Sequence, residues 1–235
     1  KLSSYNVTIL GRKRGLSYYK KGKFHYYQLD INNISEVENF LSKNSYTHLL
    51  FLAWPSSISH DSVDNLFFAA TSIQFLKIFS RYNTNARIVF TGSIHEVGFN
   101  RGRIPNNFES MQPRNIYGIS KKLVYDSMHI MQSNSLKHVS FCWVRLANVY
   151  GVGDHSKKIL SNIIDGAYKN KRIVFKNINA FVDFFYIDDA ATGILLAMFS
   201  DCEGVVNLGS GYGYYLSNIQ DFIQSYLQKT TDDTK

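Results

Sequence analysis

Tyr117 and Lys121 stand four residues apart in the segment NIYGISKKLVYD, which covers residues 115–126. On a helix this spacing places both side chains on one face, one turn apart. A phenol ordinarily has a pKa of about 10 and is a poor acid or base near neutrality, but a nearby ammonium favours the phenolate. The pair could therefore move a proton. Such a pair also occurs by chance, so the elements around it must decide whether it is catalytic.

The elements that position this pair follow a regular alternation over the first 150 residues. Short apolar runs alternate with amphipathic stretches, which is typical of βαβ units and a parallel sheet. Strands are predicted at 5–10, 25–30, 47–53, 86–92 and 138–146, and helices at 36–43, 62–81 and 117–133. After residue 150 the pattern predicts a loop, a helix and a short strand over 152–175, a turn opening a helix over 181–200, a strand and turn at 205–211, and a final helix.

The carboxyl end of the strand at 86–92 is where a third reactive group stands. Ligands of an open α/β sheet bind outside the carboxyl ends of its strands. Ser93 follows this strand, and the helix with Tyr117 and Lys121 comes next along the chain. A hydroxyl, a phenol and an ammonium that converge on one point suit hydride transfer between an alcohol or carbonyl and a nicotinamide.

Composition narrows the class of protein further. The chain has 235 residues and a net charge of +8, which favours anionic partners. The basic residues are dispersed and no nucleic-acid-binding motif accompanies them, so a nucleic-acid partner is not predicted. The 2 cysteines form neither a disulfide framework nor a metal-ligand spacing, and no metal site is predicted. Because no apolar run is long enough to span a membrane, a cytoplasmic protein without membrane contact is expected.

Several segments, taken in order, resemble the extended short-chain dehydrogenase/reductases, the group of nucleotide-sugar epimerases, dehydratases and reductases. YGISK (117–121) is similar to the Tyr-x-x-x-Lys pair of that family, and FTGSIHEVG (90–98) is similar to the strand and loop with its catalytic hydroxyl. The resemblance covers residues 5–225 and also includes these segments: YQLDINN, LLFLAWP, DNLFFAATSIQFL, VRLANVYG, FFYIDDAATGI and VVNLGSG.

The resemblance implies a Rossmann-type, doubly wound parallel sheet with a small C-terminal substrate-binding cap. Residues 1–150 would form the NAD(P)-binding domain, and residues 151–235 would form mainly the cap, with 183–209 returning to the first domain.

The resemblance also implies roles for individual residues. Tyr117 would be the acid-base group, Lys121 would bind the nicotinamide ribose, and Ser93 would hydrogen-bond the reacting oxygen. Substrate contacts would come from Ser93, His95 and Asn148, with Asn148 facing a diphosphate. Cofactor contacts would come from Arg12, Lys13, Asp30, Ile31, Leu52, Ala53, Trp54, Asn65, Tyr117, Lys121 and Leu146.

The first departure from the family is the absence of its G-x-x-G-x-x-G turn, whose glycines let the backbone approach a pyrophosphate. The first strand of this chain matches the second strand of the family. Two interpretations remain: a chain without the first βα unit, which we favour because the remaining site is intact, or a degraded relative with impaired cofactor binding.

A second departure concerns cofactor choice. NAD-dependent members place an acidic residue at the end of this strand to bind the ribose 2′-hydroxyl. Here Gly11 is followed by Arg12, Lys13 and Arg14, whose cations suit a 2′-phosphate. NADP is therefore predicted, with NAD as a possible cofactor; the alternative is a solvated basic turn.

Two further departures bear on the substrate. Ser93 is followed by Ile94, where the family's dehydratases carry an acidic residue, so dehydration is not expected. Val182 stands where many members have a diphosphate-binding arginine. The missing charge could come from Lys157, Lys158, Lys171 or Arg172.

The resulting prediction is an NADP-dependent enzyme that reduces a nucleotide-linked 4-keto-6-deoxy sugar at C4 in surface polysaccharide biosynthesis. The alternatives are a nucleotide-sugar C4 epimerase, in which NAD is commonly held tightly, and a non-catalytic NADP-binding relative. A homodimer through the helices at 62–81 and 117–133 is expected by resemblance.

Overall fold

The computed structural model describes residues 5–12, 24–55, 58–98, 104, 111–154 and 158–232. The chain divides into two compact units. Unit 1 contains Lys1–Ile88 and Pro113–Phe141, and unit 2 contains Val89–Gln112 and Cys142–Lys235. The strands β4 (Arg87–Ser93) and β5 (Ser140–Leu146) begin in unit 1 and continue in unit 2.

Unit 1 contains parallel strands, as the alternating sequence pattern predicts. Strand β1 (Val7–Gly11) pairs in parallel with β2 (Phe24–Gln28). Strand β3 (His48–Phe51) lies beside the beginning of β4, where the Arg87 amide donates to the Thr47 carbonyl at 2.9 Å. The Ser140 amide likewise donates to the Ala86 carbonyl at 3.1 Å, which gives the order β3, β4, β5 within this unit.

The described residues of unit 1 also form three helices, and side-chain caps define where two of them begin. They are α1 (Ile34–Ser42), α2 (Asp64–Tyr82) and α3 (Ile116–Asn134). Asn33 accepts a hydrogen bond from the Glu36 amide at the start of α1, and Asn115 accepts one from the Gly118 amide at the start of α3. The cap at Asn115 places Tyr117 in the first turn of α3.

In unit 2, the described part of the chain combines the remainder of β4 and β5 with short strands and three helices. Strand β5 pairs in parallel with β9 (Gly204–Leu208), and β6 (Asn148–Tyr150) pairs in parallel with β8 (Phe184–Tyr186). Strand β7 (Phe181–Val182) pairs antiparallel with β10 (Tyr214–Tyr215). The helices of this unit are α4 (Ile159–Tyr168), α5 (Ile187–Met198) and α6 (Leu216–Asp232), and α4 packs against α6.

The core of unit 2 is built on the two strands that it shares with unit 1. Every residue of β4 is buried. Phe90 on β4 and Trp143 on β5 stack face to face, with ring centroids 4.5 Å apart and planes inclined by 5°. Strands buried to this extent read as continuous apolar runs, which explains why the sequence identified them.

The α/β class and the parallel pairing confirm the fold class predicted from the sequence, and the helices over 34–42, 64–82 and 116–134 lie close to their predicted positions. The short strand predicted at the end of 152–175 is wrong. The Ile173 amide donates to the Gln220 side chain on α6 at 3.0 Å instead of to a neighbouring strand, and Val174 is 95% exposed. The turn predicted at the start of 181–200 instead contains the short strands β7 and β8.

Candidate active site

Tyr117 and Lys121 lie on one face of α3, as their spacing predicts. The Lys121 ammonium nitrogen Nζ is 5.8 Å from the centroid of the Tyr117 ring. Lys121 is only 2% exposed, whereas Tyr117 is partly exposed. A buried ammonium beside a partly exposed phenol is the arrangement that the proton-transfer hypothesis requires.

The loop before α2 holds Tyr117 in place. The Tyr117 amide, one of those that an α-helix leaves without an intrahelical partner at its start, donates to the His60 carbonyl at 2.8 Å. The His60 ring stacks on the Tyr117 ring, with centroids 5.0 Å apart and planes inclined by 17°. His60 was absent from the sequence-based site, because no motif links it to Tyr117.

Trp54 contacts both members of the pair. The Lys121 Nζ lies 4.1 Å from the centroid of the Trp54 ring, a cation–π distance. The Trp54 and Tyr117 rings meet edge to face, with centroids 5.6 Å apart and planes inclined by 79°. The sequence predicted Trp54 as a cofactor contact, and the structure brings it together with Tyr117 and Lys121.

Asn65, another predicted cofactor contact, lies buried in the first turn of α2 and hydrogen-bonds the loop before it. Its Oδ1 accepts from the Trp54 indole at 3.0 Å, and its Nδ2 donates to the carbonyls of Ser59 and Ser62 at 2.8 and 3.0 Å. Its side chain therefore joins Trp54 to the segment that leads to His60.

The other predicted cofactor residues of unit 1 follow its strands. Arg12 is exposed at the end of β1, and its carbonyl accepts from the Gln28 side chain at 3.1 Å. Asp30 follows β2, and its carboxylate accepts from the amide and side chain of Asn32 at 3.0 and 2.8 Å. Leu52, Ala53 and Ile31 are at least partly exposed, and Lys13 lies outside the described residues.

Ser93 belongs to unit 2 and ends β4. It caps a single 3₁₀ turn (Ile94–Glu96), where its hydroxyl accepts from the His95 amide at 3.3 Å. The Ser93 amide in turn donates to the Glu96 carboxylate at 2.6 Å. This reciprocal capping box fixes the backbone of the predicted catalytic hydroxyl and of His95.

Glu96 is the centre of a buried polar network that the sequence analysis missed. Its Oε2 accepts from the Trp143 indole at 2.9 Å and from Arg145 Nε at 3.2 Å. Arg145 also donates to Asn207 at 2.8 Å. Burial raises the pKa of the Glu96 carboxyl, and Arg145 and the hydrogen bonds from Ser93 and Trp143 oppose that shift. The available signals were the capping-box pattern at Ser93 and an arginine inside an apolar strand.

The remaining predicted residues of unit 2 are Leu146, which ends β5, and Asn148, which begins β6. Leu146 pairs with Leu208 on β9. The Asn148 side chain donates to the Asp183 carbonyl at 3.2 Å, and the Asp183 carboxylate accepts from Ser210 and Gly211. Asn148 is partly buried.

No helix within the described residues is long and apolar enough to cross a membrane. In the same part of the chain, no three His, Cys, Asp or Glu side chains lie close enough together to hold a metal ion.

Comparisons with known proteins show the family of this chain. The model of the NAD dependent epimerase/dehydratase family matches residues 1–209. ADP-L-glycero-D-manno-heptose-6-epimerase of Fusobacterium nucleatum is 26% identical over 136 residues, which are 52% of this chain and 40% of that protein. The match thus spans less than half the length of this curated relative.

Solved structures with the same fold include two that carry nucleotide ligands. UDP-N-acetylglucosamine 4-epimerase from Methanobrevibacter ruminantium, in complex with UDP-N-acetylmuramic acid, superposes with a TM-score of 0.80 at 17% identity, covering 95% of this chain and 74% of that one. The Bordetella bronchiseptica enzyme WbmG, in complex with NAD and UDP, has a TM-score of 0.76 at 19% identity, covering 96% and 71%. These similarities confirm the predicted Rossmann-type fold.

With a family match over most of its length, and with the Tyr-x-x-x-Lys pair on one helix face, the chain belongs to the NAD-dependent epimerase/dehydratase family, the nucleotide-sugar group of the extended short-chain dehydrogenase/reductases.

Proposed function

We propose that this chain is the catalytic portion of a nucleotide-sugar epimerase that inverts a sugar carbon by transient oxidation. The observation that carries the proposal is the buried Lys121 ammonium 5.8 Å from the Tyr117 ring, in a chain of this family. The relatives that support an epimerase are the heptose 6-epimerase and the UDP-N-acetylglucosamine 4-epimerase, so we favour it over the C4 reductase expected from the sequence.

Tyr117 would exchange the proton of the reacting hydroxyl. Lys121 and Trp54 would hold NAD(P), whose nicotinamide would supply the hydride chemistry at the sugar carbon. The Tyr117 phenolate removes the hydroxyl proton as the carbonyl forms, and the phenol returns it when the carbonyl is reduced. Ser93 is proposed to hydrogen-bond the same oxygen, and its fixed backbone limits the motion of that hydroxyl.

Lys121 would stabilise the phenolate and bind the nicotinamide ribose. Its ammonium lies within reach of the Tyr117 ring and is withdrawn from water, where its charge acts more strongly. Trp54 offers an apolar face beside the pair, and Asn148 an amide that suits a diphosphate. These groups fit a dinucleotide and a nucleotide sugar chemically.

A C4 reductase is the second candidate, because Arg12 is exposed at the end of β1 and could bind the 2′-phosphate of NADP. Net consumption of NADPH with a nucleotide-linked 4-keto-6-deoxy sugar would favour the reductase over the epimerase.

Four further expectations from the sequence stay predictions. They are the division into a cofactor domain and a cap, the homodimer, the cytoplasmic location and a role in surface polysaccharide synthesis.

The test compares Tyr117→Phe with Tyr125→Phe, an identical change on the same helix. With UDP-glucose, UDP-N-acetylglucosamine and the ADP-heptose as substrates and NAD as cofactor, kcat for epimerisation should fall by about 10² to 10⁴ in Tyr117→Phe. Cofactor affinity, measured by calorimetric titration, should change little. Tyr125→Phe should retain wild-type turnover.

Equal turnover of Tyr117→Phe and wild type would refute the catalytic assignment. A wild-type chain that binds NAD(P) and turns over none of these substrates or the keto-sugar would support the non-catalytic relative instead.

A further inference from the structure

Burial of the charged Lys121 side chain is energetically unfavourable unless neighbouring groups stabilise the charge. The residue is 2% exposed, and an ammonium withdrawn from water loses hydration that the protein has to replace. A flexible four-carbon side chain also has many rotamers, so burial alone does not define where its nitrogen lies. The Tyr117 ring is 5.8 Å from that nitrogen.

The Trp54 ring is closer to the ammonium than the Tyr117 ring is. The Lys121 Nζ lies 4.1 Å from the Trp54 ring centroid. Among the aromatic side chains, indole binds cations most strongly, and the attraction increases when the pair is desolvated. The face of Trp54 therefore provides part of the stabilisation that Lys121 lost with its hydration shell.

Trp54 is itself held from several sides, so it can define a position. Its indole N–H donates to Asn65 at 3.0 Å, and Asn65 is 1% exposed and bonded to two backbone carbonyls of the loop. The Trp54 ring also meets Phe68 edge to face, with centroids 5.0 Å apart. A ring restrained by a hydrogen bond and an aromatic contact is a rigid platform for a flexible lysine.

We infer that Trp54 is a positioning residue, which holds the charged Lys121 ammonium beside Tyr117 through a cation–π contact. The inference rests on the proposed function for its catalytic consequence, and it assigns Trp54 a role beyond contact with a cofactor. Asn65 extends the same chain of contacts, because its side chain fixes the indole. Tyr117 performs the proton transfer, and Trp54 acts on it only through Lys121 and through the edge-to-face contact of the two rings.

Nuclear magnetic resonance tests the contact directly and needs no substrate. Protons and carbons that lie over an aromatic face are shielded by its ring current. In protein labelled with ¹³Cε-lysine, one signal should be shifted upfield and should be absent from Lys121→Arg. Trp54→Leu removes the aromatic face but keeps an apolar side chain, so this signal should move to the position of ordinary lysines. Trp54→Phe keeps a face and should retain part of the shift.

Kinetics then test the consequence for the reaction. In Trp54→Leu we expect kcat for epimerisation of the best substrate to fall about tenfold, within the range that loss of a desolvated cation–π contact produces. Trp54→Phe should recover to within about threefold of wild type, since phenylalanine is a weaker cation–π partner. Phe222→Leu, at a 68% exposed position on α6, serves as the matched aromatic-to-leucine control and should leave kcat unchanged.

Two spectroscopic results would overturn the inference: no shielded Lys121 signal in the wild type, or a shielded signal that persists in Trp54→Leu. Equal kcat in Trp54→Leu and wild type would also overturn it. Absence of turnover in the wild type would instead count against the proposed function, while the lysine spectra would still decide whether Trp54 positions Lys121. Urea unfolding of each variant separates misfolding from mispositioning.

Discussion

Glu96 and Arg145 form a completely buried ion pair, with Glu96 Oε2 3.2 Å from Arg145 Nε and both side chains 0% exposed. The same carboxylate accepts from the Ser93 amide, so the pair links β5 to the turn that carries the predicted catalytic hydroxyl. A buried pair of this kind is weak evidence for stability in itself, but the loss of one partner leaves the other charge buried and uncompensated.

Replacement of Glu96 by alanine should therefore destabilise the protein strongly. Arg145 would be left buried without its carboxylate, and we expect the free energy of unfolding to fall by about 3–5 kcal/mol in urea titrations. Glu38→Ala breaks the exposed pair of Glu38 with Arg81, whose charges are screened by water, and should lower the free energy of unfolding far less. Similar losses in the two variants would contradict the importance of burial at Glu96.

Folding stability should decrease in mild acid through His48. Burial, and secondarily the charge of Arg87, lowers the pKa of His48 below its ordinary value of 6.5. The unfolded chain therefore takes up a proton near pH 6.5 that the folded chain takes up only at lower pH. Stability is present above the unfolded pKa and is lost as the pH falls from about 6.5 toward the folded pKa.

Urea midpoints at pH 7.5 and 5.5 measure this linkage. The decrease between the two pH values should be smaller in His48→Asn than in wild type. His25→Asn, an exposed histidine on β2, is the matched control and should not reduce the decrease. The same decrease in His48→Asn as in wild type would rule out His48 as its source.

Substitution by alanine at two glycines with similar φ angles should change the free energy of unfolding by different amounts. Gly98 has φ +76° and Gly153 has φ +85°, the left-handed region, where a side chain costs about 1–2 kcal/mol. A Cβ at Gly98 would overlap the Gln112 carbonyl, whereas a Cβ at Gly153 would have no atom of the described residues within 4 Å.

Gly98→Ala should therefore lower the free energy of unfolding by about 1–3 kcal/mol more than Gly153→Ala, because its backbone neighbour has to move. Thermal and urea unfolding measure the difference. Indistinguishable stabilities would mean that the segment around Gln112 adjusts without cost.

Removal of the Arg12 guanidinium tests the predicted choice of cofactor. If Arg12 binds the 2′-phosphate, Arg12→Ala should weaken NADPH binding about tenfold, the scale of one charged hydrogen bond, and should leave NADH binding nearly unchanged. Calorimetric titration measures both affinities, and Arg81→Ala on α2 is the surface-charge control. An equal effect of Arg12→Ala on the two cofactors would remove the basis for preferring NADP.

The sequence by itself determined the elements of this protein and the helix face of its central pair. Apolar runs and helical periodicity indicate which residues of an element are buried. For this reason β4 and α3 were predicted close to their observed bounds. Tyr117 and Lys121 share a face because they are four residues apart, a relationship that helical geometry alone decides. The ordered family segments also predicted the Rossmann-type fold.

Only the tertiary structure decided which distant side chains surround those residues. Arg145 meets Glu96 across 49 positions of sequence, and the stacking of His60 on Tyr117 and the approach of Trp54 to Lys121 likewise join residues from different elements. No periodicity encodes such contacts, because they depend on how loops place side chains against helices. The segment at 172–175 shows the converse. Its apolar residues predicted a strand, but the Ile173 amide donates to the Gln220 side chain on α6 instead of to a neighbouring strand.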